Sequence, residues 1–95
     1  MRDYELVVII SPSVADDEID TTIEKINQFI SERGGSTTEV NQWGKRKLAY
    51  PIKDHMEGYY VLTQLNMDPK LTAELEASLE LSEDILRHLL VRLSD

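Results

Sequence analysis

The residues best suited to chemistry form a basic cluster flanked by aromatic side chains. Lys45, Arg46 and Lys47 are consecutive, and Trp43 and Tyr50 stand on either side of them. Ammonium and guanidinium groups bind phosphate oxygens, and an aromatic ring beside them can stack or pack. The chain has a formal net charge of −8, so a cationic cluster within it requires an anionic partner or a local counter-charge. The segment therefore predicts a surface for nucleic acid and for a second protein.

The same cluster also admits a purely structural interpretation. Charges on an edge strand keep it from pairing with other molecules, and a lone tryptophan more often packs in a core or a hairpin. Alternation along a strand places Lys45 and Lys47 on one face and Arg46 on the other, unless a bulge at Gly44 shifts the register. Tyr50, on an edge strand, suits a protein–protein anchor, because aromatic side chains dominate interface hot spots.

Other kinds of chemistry find little support in the composition. The chain has no cysteine, which excludes disulfides, thiolate catalysis and thiolate metal sites. His55 and His88 lie 33 residues apart and make no metal site without cysteines. An acyl-phosphate hydrolase would need an arginine in the loop after the first strand, and residues 11–15 contain none. We expect no catalytic residue, no metal site and no small-molecule substrate.

Length and hydropathy place the chain among cytoplasmic proteins. No apolar run approaches the roughly 20 residues that cross a bilayer. The start of the chain, residues 1–5, is too charged for the apolar part of a signal peptide. We therefore expect no membrane partner, and we expect the 95 residues to form one domain, 1–95.

Hydrophobic spacing and turn residues divide the chain into four strands and two helices. Ser13 is the expected N-cap of the first helix, and Asp68, followed by Pro69, that of the second. Gly34 and Gly35 suit the end of the first helix, because glycine adopts the left-handed conformation of a C-cap. The predicted strands are residues 4–10, 36–52, 59–67 and 85–93, and the predicted helices are residues 14–33 and 68–84.

The order β-α-β-β-α-β predicts an α+β, ferredoxin-like fold, a four-stranded antiparallel sheet with two helices on one face. The expected spatial order of the strands is fourth, first, third, second, which leaves the second strand at an edge. Pro51 favours that position, because proline has no N–H to donate to a neighbouring strand. Residues 36–67 then form a hairpin, and Gly44 suggests a bulge in it.

The charges are segregated between these elements. The two predicted helices hold 12 of the 18 acidic and 3 of the 10 basic residues. Phosphates should therefore approach the sheet or its edge, opposite the helices, because like charges repel within a Debye length of about 8–10 Å. Arg2 and Arg92 should lie near each other on neighbouring antiparallel strands, farther from Arg87. Cross-strand pairing with Asp3 or Glu5 is the alternative for these arginines.

Several short segments together carry a family resemblance. The most specific is residues 43–52, Trp-Gly-Lys-Arg-Lys-Leu-Ala-Tyr-Pro-Ile. Weaker matches follow in the right order at residues 4–6 (Tyr-Glu-Leu), 34–35 (Gly-Gly), 58–60 (Gly-Tyr-Tyr) and 86–89 (Leu-Arg-His-Leu). With these segments, the chain resembles the bacterial small-subunit ribosomal protein six family along essentially its whole length.

The resemblance implies a ferredoxin-like structural protein of the small ribosomal subunit, without catalysis or cofactor. It implies binding to 16S ribosomal RNA as a heterodimer with small-subunit ribosomal protein eighteen, during assembly of the central domain. The candidates for the protein partner are Trp43, Leu48 and Tyr50. A dimerising or small-molecule-sensing regulatory module of the same fold is the remaining alternative. The candidate RNA-binding residues are Arg2, Lys45, Arg46, Lys47, Arg87 and Arg92.

Overall fold

A computed structural model describes residues 1–93 of the chain. Its elements are β1 (Arg2–Ile10), α1 (Ile19–Glu32), β2 (Ser36–Ile52), β3 (His55–Met67), α2 (Thr72–Leu81) and β4 (Ile85–Arg92). The four strands form one antiparallel sheet in the spatial order β2-β3-β1-β4, and both helices pack on one face of it. The expected ferredoxin-like fold is confirmed. No helix within residues 1–93 is long and apolar enough to span a membrane.

The main core lies between the sheet and the two helices. Alternate residues of β1 point toward the helices, and buried residues recur at helical spacing in α1 and α2. Burial of one such leucine or isoleucine stabilises the fold by about 1.5–3 kcal/mol. The opposite face of the sheet, called the open face below, carries no helix. The buried residues that join β1 to the helices are Tyr4, Leu6, Val8, Ile10, Ile19, Ile23, Ile30, Leu75 and Leu79.

The first helix begins later than the sequence predicts. The hydroxyl of Ser13 hydrogen-bonds to the hydroxyl of Ser11, 2.7 Å away, instead of capping a helix. A short 3₁₀ turn, Asp16–Glu18, then leads into α1 at Ile19. The predicted Ser13 cap is therefore wrong, because the two serines satisfy each other within the loop.

The other predicted helix boundaries rest on the expected residues. Gly34 has a φ of 83°, a region that glycine enters without steric cost. The N–H of Gly35 donates to the carbonyl of Ile30 at 3.0 Å and closes α1 in a Schellman arrangement. The carboxylate of Asp68 accepts a hydrogen bond from the amide of Lys70 at 3.0 Å, and a 3₁₀ turn separates this cap from α2.

β2 lies at an edge of the sheet, as Pro51 predicts, and its pairing with β3 is interrupted at three points. One interruption lies between Gln42 and Gly44, where Gly44 has a φ of 85°, so the expected bulge is confirmed. The last interruption covers residues 48–51, which have no ladder partner on β3. Residues 48–51 are therefore not held in the plane of the sheet by pairing with β3.

The turn that joins β2 to β3 is conformationally strained. Both of its central residues, Lys53 with a φ of 49° and Asp54 with a φ of 67°, occupy the left-handed region. Two-residue hairpin turns of this kind favour glycine at their second position. A residue with a Cβ atom pays a steric cost there that glycine does not.

We expect Asp54→Gly to raise the free energy of unfolding by about 0.5–1 kcal/mol, because it removes this steric cost. Asp54→Ala is the matched control, since it deletes the same carboxylate but keeps the Cβ atom, and it should not stabilise the protein. Urea unfolding followed by circular dichroism measures both. Equal stabilisation by the two variants would assign the effect to the lost charge and contradict the role of the backbone.

Candidate nucleic-acid interface

A second, smaller hydrophobic cluster holds the distal part of the β2–β3 hairpin against the sheet. Leu48 packs on Ile9 of β1 and Leu86 of β4, and these three side chains are 7%, 8% and 7% exposed. Ile52 and Tyr60 pack against them. Because Ile9 lies on the open face, this contact bends the hairpin over that face. Leu48, a candidate contact for the protein partner, therefore lies beneath the surface and supports it.

Tyr50 connects the hairpin to the far strand of the sheet. Its hydroxyl accepts a hydrogen bond from the guanidinium of Arg87 in β4. The same guanidinium lies 6.0 Å from the centre of the Tyr50 ring, and the tyrosine is 53% exposed. A guanidinium carries five N–H donors, so this contact orients Arg87 and leaves it able to bind a phosphate group.

A similar cation–aromatic pair stands on β2. The guanidinium of Arg46 lies 5.8 Å from the centre of the Trp43 ring, a contact that contributes about 0.5–1 kcal/mol at an exposed site. Trp43 is the bulged residue between Gln42 and Gly44, and it is 47% exposed. It belongs to neither hydrophobic core, so Trp43 is available to a partner.

The three consecutive cations alternate between the two faces of the sheet, as predicted. Lys45 pairs with Tyr59 and Arg46 with Gly58. Tyr59 packs against the main core, so Lys45 and Lys47 share the helix side of the sheet. Arg46 lies on the open face. The bulge at Gly44 precedes the three cations and leaves their alternation intact.

The six candidate RNA-binding residues fall into two groups at opposite ends of the sheet. Arg87 stands opposite Ile9, and Arg92 stands opposite Tyr4. Arg2 therefore lies closer to Arg92 than to Arg87, as expected. Ile9 and Tyr4 are five residues apart on β1, which separates the two ends by about 17 Å at about 3.3 Å per residue. One group holds Lys45, Arg46, Lys47 and Arg87, and the other holds Arg2 and Arg92.

Only two of the six candidates lie on the open face. The register places Arg2 and Arg92 on the same side as Tyr4, which faces the helices, and the two lysines share that side. The expectation that anions bind opposite the helices therefore fits Arg46 and Arg87 alone. Alternation within each strand, not membership of a strand, decides the face on which a charge lies.

The open face carries a further surface that sequence reasoning did not assign. At its centre, Val7 pairs with Leu62 on one side and with Leu89 on the other, and Leu89 is 59% exposed. Toward the end remote from the hairpin, Glu5 and Glu39 flank the same residue of β3. The open face therefore passes from an acidic end, through an apolar centre, to a basic and aromatic end. The apolar run Leu89–Val91 of β4 was a signal for it, but such a run is equally typical of a strand buried on both faces.

The described part of the chain offers no site for a metal ion. Residues 1–93 contain no group of three or more His, Cys, Asp or Glu side chains placed to bind one. No buried side-chain nitrogen or oxygen atom in that range lacks a hydrogen-bond partner. The groups that the surface presents are cations, exposed aromatic rings and exposed apolar side chains, which suit recognition by charge and by burial.

Comparison with known proteins relates the chain to one family. The model of the family described as Ribosomal protein S6 matches residues 3–92. The small ribosomal subunit protein bS6 of Caldanaerobacter subterraneus subsp. tengcongensis is 43% identical over 95 residues, which cover 100% of each chain. The protein of the same name from Moorella thermoacetica is 40% identical over 95 residues, which cover 100% of this chain and 97% of its own.

The fold agrees with a solved structure of a protein from the same family. The crystal structure of 30S ribosomal protein S6 from Thermotoga maritima matches with a TM-score of 0.90 at 34% sequence identity. The match covers 96% of this chain and 86% of that chain.

Leu48→Ala should lower the free energy of unfolding by about 2–4 kcal/mol, because it empties part of a filled apolar site. Tyr50→Phe removes only an exposed hydroxyl and should change the same quantity by less than about 1 kcal/mol. Guanidinium chloride unfolding measures both. A Leu48→Ala cost below about 1 kcal/mol would show that this cluster does not hold the hairpin.

Proposed function

Since the chain belongs to the ribosomal protein S6 family, and is therefore a structural constituent of the small ribosomal subunit, we propose that it binds 16S ribosomal RNA together with small-subunit ribosomal protein eighteen. The observation that carries the proposal is the hairpin end of the open face. There Arg46 and Arg87 each lie beside an exposed aromatic ring. The relatives are structural ribosomal proteins, and the chain is not an enzyme. It works in the cytoplasm, within the ribosome.

The RNA contact in this proposal is electrostatic and begins at the hairpin. Arg46 and Arg87 bind phosphates from the open face, and guanidinium groups suit bidentate contact with phosphate oxygens. The hairpin end between Trp43 and Tyr50 is called the rim below. Lys45 and Lys47 bind phosphates from the helix side of this rim. Arg2 and Arg92 bind the RNA at the opposite end of the sheet. Contacts of this kind fix position and carry no base sequence.

The protein contact in this proposal uses the exposed rim and the apolar centre of the open face. Trp43 and Tyr50 are the anchors, since they are large, exposed and held by neighbouring cations. Leu48 acts indirectly by fixing the rim from below. Exposed apolar patches on a soluble protein commonly mark protein interfaces, so the area around Leu89 extends the contact. The partner's positive charges would meet the acidic end of the face.

A self-associating module of the same fold is the second candidate. The exposed Leu89 on β4, an edge strand, favours it, because an edge strand can pair with a second copy. Light scattering of the isolated chain distinguishes the two. A monomer that pairs only with a different, basic protein supports the ribosomal proposal, and a dimer in the absence of that protein supports the alternative.

We expect the complex with the protein partner to lose RNA affinity with salt at a log–log slope of about −2 to −4, because three or four phosphates contribute about 0.7–0.9 each. The isolated chain should bind RNA only weakly. Lys45→Gln should make the slope of the complex shallower by about 0.7–0.9. Lys70→Gln removes the same charge beside α2 and should leave the slope unchanged. Fluorescence anisotropy across a salt series measures these slopes.

Two outcomes would contradict the RNA contacts. A slope near zero for the intact complex would remove the phosphate contacts altogether. An equal change in the slope for Lys45→Gln and Lys70→Gln would show that the phosphate contacts do not lie at the hairpin, since any lost positive charge would then have the same effect.

Trp43→Ala and Tyr50→Ala should each weaken the complex with the protein partner by about 2 kcal/mol or more, because aromatic anchors dominate interface energies. Leu81→Ala is the control, since Leu81 lies on α2 and is 84% exposed. It should leave the affinity unchanged. Isothermal titration calorimetry of the two proteins measures the effect. Loss of affinity on Leu89→Ala but not on Trp43→Ala would move the partner from the rim to the centre of the open face.

A further inference from the structure

A solvent-open groove runs between α1 and α2, on the side of the molecule remote from the open face. Leu75 and Leu79 of α2 and Ile85 of β4 are buried at its base, and Ile26 and Phe29 of α1 form its wall. Its volume is about 170 Å³. A cavity of about 150 Å³ accommodates a benzene ring, and sites for larger organic ligands begin at about 300 Å³. The groove therefore suits a single large apolar side chain.

The groove continues into a second, polar compartment beside the start of α1. This compartment has a volume of about 250 Å³, and Glu18 and Asp84 lie on its wall. Lys25 and Asp84 line both compartments. The carboxylates of Glu18 and Asp84 have no hydrogen-bond or ion-pair partner within residues 1–93. The polar compartment therefore suits a cationic group.

A contact between the two helices holds the Phe29 wall of the groove. The guanidinium of Arg33 stacks on the Phe29 ring, 3.6 Å from its centre, and pairs with the carboxylate of Glu74 at 2.9 Å. The apolar compartment is therefore formed before any ligand arrives.

We propose that this groove binds a basic peptide segment of a partner protein. One large apolar side chain of the segment occupies the apolar compartment, and an adjacent lysine or arginine occupies the polar compartment. The charge of the surroundings selects this partner, because the regions 14–33 and 68–84 hold 12 acidic and 3 basic residues. The same charges repel RNA phosphates within about 8–10 Å. The site is separate from the surface proposed for RNA binding.

The test uses the isolated chain, labelled with nitrogen-15, and the synthetic peptide acetyl-Lys-Lys-Phe-Lys-Lys-amide as the probe. Amide chemical shifts should change at residues of the two compartments and not on the open face. Replacing the phenylalanine of the peptide by alanine should weaken binding about tenfold or more, the value of one buried aromatic side chain. Equal binding of the two peptides, or shift changes on the open face alone, would overturn the proposal.

Variants of the chain test each compartment separately. Ser78→Phe places a ring in the apolar compartment and should abolish peptide binding, whereas Ala77→Phe adds the same ring at an exposed position of α2 outside the groove and should not. Asp84→Asn should weaken binding and Lys25→Gln should tighten it, each by about two- to fivefold, the size of an exposed ion pair. Effects of the same sign for both charge variants would show that the polar compartment does not bind a cationic group of the peptide.

The outcome is independent of the ribosomal proposal. Ser78→Phe should leave RNA assembly with the protein partner unchanged, because its ring lies on the other side of the sheet. If Ser78→Phe impairs folding, as seen in its amide spectrum, the opposite effects of Asp84→Asn and Lys25→Gln still decide the question. Displacement of the peptide by a short RNA oligonucleotide would also overturn the proposal.

Discussion

The packing of Leu48 on Ile9 and Leu86 determines what the hairpin can present to a partner. Residues 48–51 have no ladder partner on β3, so backbone pairing alone does not fix their position. Gly58 makes the packing possible, because a Cβ atom there would collide with the side chain of Ile9. A buried leucine contributes about 2–4 kcal/mol, several times the roughly 0.5–1 kcal/mol of an exposed cation–aromatic contact. The packing of Leu48 therefore positions the hairpin, and the cation–aromatic contacts form on the hairpin so positioned.

Local chemistry was sufficient to predict most of the fold. The bounds of β2 agree with the predicted range 36–52, because glycines precede the strand and a polar turn follows it. The start of β3 was missed, since Lys53 and Asp54 make a tight turn without glycine. β3 therefore begins at His55, four residues before the predicted start. The Ser13 cap was predicted wrongly, because Ser11, two residues away, binds the same hydroxyl.

The candidate site depended on contacts between distant parts of the chain, and sequence reasoning reached it only in part. Alternation correctly separated Arg46 from its two lysine neighbours. Alternation did not predict that Arg46 would be the residue on the open face. The face depends on how β2 pairs with β3 after two upstream shifts in register. The burial of Leu48 depends on β1 and β4, which no local pattern contains. Leu89 was not assigned to a surface, because the continuous apolar run Leu89–Val91 is typical of a strand buried on both faces.

The cations at the hairpin end differ in their electrostatic surroundings, and this difference bears on how an acidic protein can bind RNA. The side-chain amide of Gln42 donates to the carboxylate of Asp20 at 3.1 Å, so the acidic start of α1 touches the helix side of the hairpin. Lys45 lies on that side. Arg46 lies on the other side, and packed layers are about 10 Å apart, slightly more than the Debye length of about 8 Å at physiological salt. The sheet therefore keeps Arg46 about one Debye length from the acidic residues of α1. A phosphate that approaches Arg46 is repelled less by those residues than one that approaches Lys45.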